Sequence, residues 1–220
     1  MQNNKAGRSG QTSASRARRP KKKKKRSISI ILIAGLAFMA VLSIIGIKKH
    51  IDLMDKGNGD NNARTAHVSD DVLFYEDVII EYAEEYGISD FVPVIEAVMQ
   101  QESGGKGLDV MQCSECMFNY DYPQEPGGIT DPYYSVRTGV RYLAYCLSEA
   151  GCDSLADLNG IKLALQGYNF GHNYIHWAIE NGGGYSESNA REYSQILAKQ
   201  FGWDTYGDPL YVEHVLRYYN

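Results

Sequence analysis

Glu102 closes the apolar stretch Val94-Ile95-Glu96-Ala97-Val98-Met99-Gln100-Gln101-Glu102. Val94, Val98 and Glu102 recur every fourth residue and share one helical face. A carboxyl group thus continues a row of core side chains, and Gly104 and Gly105 end the helix just beyond it. Apolar neighbours and the negative end of a helix dipole both raise a carboxyl pKa. A group so tuned serves as a general acid near neutral pH; an exposed helix-end glutamate would share the same spacing. Asp109, seven residues on, is a second candidate carboxylate, able to stabilise positive charge or position a water. A loop aspartate capping a turn would read the same way. His172 and His176 stand four apart, but no Glu-x-x-His pattern or third ligand accompanies them. No metal and no cofactor is expected, and no Ser/His/Asp or phosphate-loop pattern is present.

The elements that must position these groups read as helices. Residues 72–86 carry Ile79, Tyr82, Ala83 and Tyr86 at helical spacing, closed by Gly87. Ser89 or Asp90 is the expected cap of the next helix, with Pro93 in its first turn. Residues 104–131 show no period and read as a long functional loop, with room for a short hairpin. Further helices are expected over 135–150, 160–168, 174–180 and 190–200. No alternation is long enough for a large sheet, so the fold class is mainly α, with a minor β element or irregular cleft loops.

Residues 1–26 form a basic tail containing the run Lys21 to Lys25 and no acid. Residues 27–47 are uncharged and apolar, long enough as a helix to cross the roughly 30 Å hydrocarbon core of a bilayer. One transmembrane helix is expected, its basic flank cytoplasmic and the rest of the chain outside. A cleaved signal peptide is the competing reading, although Phe38 sits where a cleavage site expects a small residue. Residues 48–70 are polar and Gly/Asn-rich, a flexible linker, and 71–220 has the size of one domain. Eleven of the 22 basic residues precede residue 27 and none of the 27 acidic ones does, leaving −16 on the remainder. Nucleic-acid binding by that remainder is therefore excluded, because it needs a basic face.

The four cysteines form two local pairs, Cys113 with Cys116 and Cys146 with Cys152. An even count outside a membrane favours disulfides, and the two local bridges are the expected ones. A four-cysteine zinc site is a rival reading that the second spacing fits poorly. A free buried thiol remains open for Cys146.

Three stretches in order, Gln101-Glu102-Ser103-Gly104-Gly105, Asp109-Val110-Met111-Gln112-Cys113-Ser114-Glu115 and Gln166-Gly167-Tyr168-Asn169-Phe170-Gly171, carry a family likeness. The domain resembles the muramidase domain of cell-wall hydrolases from Gram-positive conjugative elements, within the goose-type lysozyme and lytic transglycosylase superfamily. The resemblance implies a lysozyme-like fold with Glu102 as the acid that protonates the bond between N-acetylmuramic acid and N-acetylglucosamine. Asp109 would be the second catalytic residue. Gln112, Ser114, Glu115, Tyr168 and Asn169 would bind substrate, with Tyr168 stacking on a pyranose or holding the acid. The sequence departs from the pattern where Cys113 and Cys116 replace small polar residues. Relatives add a papain-like endopeptidase domain, for which the residues up to Asn220 show no pattern.

The expected function is a membrane-anchored peptidoglycan hydrolase that opens the wall locally for conjugative transfer. Its expected partners are glycan strands, the cytoplasmic membrane and proteins of the conjugation channel. One alternative is a lytic transglycosylase, in which the substrate's own 6-hydroxyl attacks to give a 1,6-anhydro sugar. The other is a weakly catalytic glycan-binding scaffold.

Overall fold

The computed structural model describes residues 65–219, which lie in one compact unit. The basic tail, the expected membrane span and residues 48–64 of the expected linker lie outside the described residues. Within the described residues no helix is long and apolar enough to cross a membrane.

The expected first helix is divided in two, α1 (Asp70–Leu73) and α2 (Glu76–Glu85). Tyr75 leaves helical geometry between them, with φ −96° and ψ 1°. A single 3-10 turn at Ser89–Phe91 then leads into α3 (Val92–Glu102). Pro93 occupies its first turn as expected, where a missing N–H costs no intrahelical bond. Neither Ser89 nor Asp90 caps α3, because the 3-10 turn places Phe91 at the cap position.

Beyond the irregular loop, α4 (Pro132–Glu149) starts under Asp131, whose carboxylate accepts from the N–H groups of Tyr133 at 2.9 Å and Tyr134 at 3.3 Å. Asp157 caps α5 (Leu158–Phe170) in the same manner through Gly160. Helix α6 (Asn173–Gly182) follows, and α7 (Glu187–Phe201) begins with a capping box between Ser186 and Asn189. The sequence reading had no counterpart for α8 (Tyr211–Leu216), which at six residues is too short to show a period.

Helix α4 packs against α2 and α5; α5 also meets α6 and α8, and α8 closes back on α3. Val94, Ile95 and Val98 of α3, Val140 and Leu143 of α4, and Ile161 and Leu165 of α5 are fully buried. Each such aliphatic side chain stabilises by about 1.5–3 kcal/mol relative to exposure. Gly139 lets the irregular loop reach the core, since a Cβ there would strike the Met111 side chain.

Residues 103–131 hold no helix or strand, and the possible hairpin does not form. The expected minor β element reduces, among the described residues, to one antiparallel bridge between Ala66 and Tyr219. With the bond from His67 N to Tyr218 O at 2.8 Å, it ties the first described residues to the last.

Candidate active site

Glu102 is the last residue of α3 and is half-buried. Gly104 and Gly105 turn the chain away with φ of 63° and 77°. Any side chain at Gly105 would collide with the Asp71 backbone, so the turn depends on glycine twice over. The Tyr211 hydroxyl, presented by α8, donates to Glu102 Oε1 at 2.5 Å. Burial pushes the Glu102 pKa up from 4.5 to about 7; the Tyr211 bond pulls it down, and the negative charges of Asp109 and Asp208 push it up again. The carboxyl therefore carries a proton in a substantial fraction of molecules at neutral pH. Its Oε1 accepts from Tyr211, and no hydrogen bond to a described residue engages Oε2.

Asp109 is only 5 % exposed and spends both carboxylate oxygens on protein donors. Its Oδ1 accepts from Cys113 N at 3.0 Å and Ser135 Oγ at 2.7 Å. Its Oδ2 accepts from Ser114 N at 3.0 Å and Ser114 Oγ at 2.5 Å. The residue knots the loop to α4 and contributes charge at Glu102, with no carboxylate oxygen left free for a water. This geometry matches the turn-capping reading of Asp109. Ser114 is likewise 2 % exposed, its oxygen also accepting from Ile129 N at 2.9 Å, so its hydroxyl cannot reach a sugar in this arrangement.

A cavity of about 340 Å³ opens beside these groups. Gln112, Glu115, Tyr168 and Asn169 line one part of it, and Trp203, Tyr206 and Gly207 another. Glu102 is not among the lining residues, but its charge acts on Tyr168, which is. Gln112 is the one non-glycine residue with positive φ among those described, at 48°. Such strain concentrates at functional sites. Its side-chain amide donates to Asp109 O at 2.8 Å. Tyr168 donates to Met111 O at 2.9 Å, so it buttresses the loop while the carboxyl is held by Tyr211. Asn169 Oδ1 accepts from Asp208 N at 2.7 Å, which orients the amide at the cavity edge.

The expected disulfides are not formed: Cys113, Cys116, Cys146 and Cys152 are free thiols. Cys146 Sγ packs against Gly167 and the Cys152 Cβ against Gly160. Those glycines lie two turns apart on α5, about 10 Å, beyond disulfide reach. Cys113 instead hydrogen-bonds the Cys116 thiol, with its Sγ also 3.3 Å from Ser135 O. That bond and burial push the Cys113 thiol up, and the same bond draws Cys116 down.

The sequence model of the lysozyme-like family matches residues 69–219. The chain belongs to the lysozyme-like family. Relatives include the bifunctional muramidase/DL-endopeptidase CwlT of Bacillus subtilis, 38% identical over 162 residues that make up 74% of this chain and 46% of that protein. The uncharacterized membrane protein YocA of the same species is 34% identical, over 57% of this chain and 52% of its own length. The chain thus spans about half the length of these relatives. Among solved structures, a lipoprotein-like protein of the NLP/P60 family from Staphylococcus aureus superposes with a TM-score of 0.57 at 30% identity, covering 69% of this chain and 53% of that one.

In this lysozyme-like domain, the structure gathers Gln112, Glu115, Tyr168 and Asn169 around one cleft, sets Glu102 close enough to act on Tyr168 by its charge, and turns Asp109 and Ser114 inward. His172 packs edge-on against Tyr145, and His176 meets Glu149 at 2.6 Å. Sequence reasoning missed Tyr211, Asp208, Trp203 and Tyr206. Trp203 is 58% exposed and clusters with Phe201 and Tyr206, their ring centroids 5.2 Å and 5.9 Å away. A Trp lining a polar cleft suits a sugar face. The signal available for it was the cluster Phe201, Trp203 and Tyr206 beyond an otherwise complete helix.

Proposed function

We propose that this chain cleaves the β-1,4 bond between N-acetylmuramic acid and N-acetylglucosamine in peptidoglycan. The observation that carries the reading is a carboxyl with its pKa near 7, held by Tyr211, beside a cleft of amide, hydroxyl and aromatic groups. Glu102 Oε2 protonates the glycosidic oxygen while the sugar develops oxocarbenium character. Tyr211 then stabilises the carboxylate left behind. Trp203 and Tyr206 offer stacking surface, and Asn169, Gln112 and Glu115 offer hydrogen bonds for sugar hydroxyls and acetamido groups. The muramidase named in the Bacillus relative supports the same substrate.

A second reading, attack by the substrate's own 6-hydroxyl, is favoured by the saturated Asp109 carboxylate, which leaves no oxygen to hold a water. Digestion of purified peptidoglycan by the full chain and by Glu102→Gln tests both. Wild type is expected to release muropeptides at a rate at least about a hundredfold above the variant, the usual scale of general acid catalysis. Equal release would leave a glycan-binding scaffold as the function. Mass spectrometry of the products separates reducing ends from anhydro ends.

The basic 1–26 and apolar 27–47 segments support a single-pass anchor with the C-terminal domain extracellular, and one relative is named a membrane protein. Protease accessibility of that domain in intact cells tests the placement. A role beside a conjugation channel rests on the sequence resemblance.

A further inference from the structure

Between residues 65 and 219 the chain has 24 acidic residues and seven basic ones. Two of the seven, Arg137 and Arg141, lie one turn apart on α4 and line a single pocket of about 110 Å³. Neither guanidinium has a carboxylate within 4.0 Å among the described residues; the surface ion pairs there involve other cations. Aromatic groups hold them instead. Arg141 lies 4.2 Å over the Phe118 ring and 6.0 Å from the Tyr120 ring, and Arg137 Nε donates to the Tyr86 hydroxyl at 3.4 Å. Stacking and a phenol fix the planes of the two cations without neutralising them. Asp121 is the one carboxylate in the lining and the charge of Glu85 acts on Arg137 from outside it, so the two lining arginines outnumber the single lining acid inside an acidic domain.

The pocket adjoins the main cleft. Phe118 walls it, and the Phe118 ring also packs edge-on against Tyr142, which lines the cleft, at 6.4 Å. Cys116, two residues before Phe118, lines the cleft as well. An anionic group borne by a sugar in the cleft could therefore enter the second pocket across this aromatic partition.

We propose that Arg137 and Arg141 form a subsite for a carboxylate of the short peptide attached to the muramyl sugar, so that the protein reads peptide substitution as well as glycan. The inference rests on the glycan substrate proposed above. Paired guanidinium forks match carboxylate oxygens, and the pocket admits one small acidic side chain.

Two measurements test it. In the first, the soluble peptide L-Ala-γ-D-Glu-L-Lys is titrated calorimetrically into the full chain carrying Glu102→Gln, with and without Arg137→Gln and Arg141→Gln. Binding should weaken by about tenfold or more in the arginine variant, the scale of one lost charge-assisted hydrogen bond. Absence of binding, or binding unchanged by the variant, overturns the proposal; so does inorganic phosphate binding there more tightly than the peptide, which would indicate a phosphate-rich wall polymer. In the second, cleavage of peptide-bearing peptidoglycan is compared with the same material stripped by an amidase. The wild type is expected to prefer the peptide-bearing form through KM, and the arginine variant to bring the ratio close to one. A persistent ratio overturns the proposal. Failure of the wild type to cut either material refutes the muramidase reading, and the calorimetric titration then still decides the pocket.

Discussion

At the scale of single residues, the chemistry turns on how Glu102 is held. Burial alone would raise its pKa further; the Tyr211 hydroxyl donates to the charged form and brings it back to about 7. Removing that hydroxyl in Tyr211→Phe destabilises the carboxylate, so the pKa rises. A general acid must be protonated to act, and activity falls as pH rises through its pKa. The variant should therefore keep activity to higher pH than wild type, while its maximal kcat drops about tenfold because the carboxylate loses its fixed orientation. A pH profile of muropeptide release checks this, and a basic limb at the wild-type position would show that Tyr211 does not tune the acid. Glu102 was legible in the sequence because its face partners lie four and eight residues away. Tyr211 was not, because it stands 109 residues downstream and meets the acid only through tertiary packing.

At the scale of elements, the deciding piece is the loop between α3 and α4, and Asp109 is its anchor. Four donors from Cys113, Ser114 and Ser135 converge on this carboxylate. Truncation in Asp109→Ala leaves them unsatisfied in a buried site and should cost about 3–5 kcal/mol in unfolding free energy. The milder Asp109→Asn should lower thermal stability and activity together, with hydrogen exchange rising across residues 110–116. If Asp109→Asn abolishes cleavage while stability and exchange stay at wild-type values, the carboxylate acts on the sugar itself. The helices around this loop were readable from apolar spacing, with the starts of α4 and α5 shifted by a few residues where Asp131 and Asp157 cap them. The loop was readable only as an aperiodic stretch, since its shape comes from side-chain bonds and from the close approach of Met111 to Gly139. The pairing of Cys146 with Cys152 failed for the same reason. Sequence proximity of Cys146 and Cys152 says nothing of the two helical turns that separate their packing sites on α5.

At the scale of the whole molecule, the excess of acid makes stability depend on pH in a defined sense. Glu96 is 6 % exposed on α3, and burial, reinforced by the charge of Glu76, pushes its pKa from 4.5 to about 7. Glu102 is shifted in the same direction by its own burial. A carboxyl whose folded pKa lies above its unfolded value contributes stability that is complete below about pH 4.5 and lost as pH rises through about 7. The domain should therefore melt at a higher temperature at pH 5 than at pH 8, opposite to a protein held by ion-paired carboxylates. Glu96→Gln removes the charge that must be buried at pH 8 while leaving a side chain of the same shape. Allowing for solvent screening, it should stabilise by about 1–2 kcal/mol at pH 8, roughly 3–8 °C in Tm, and change little at pH 5. Thermal melts of both proteins across that range provide the check. A lower Tm for Glu96→Gln at pH 8 would mean that the ionised carboxylate is stabilised where it lies, by more than its burial costs.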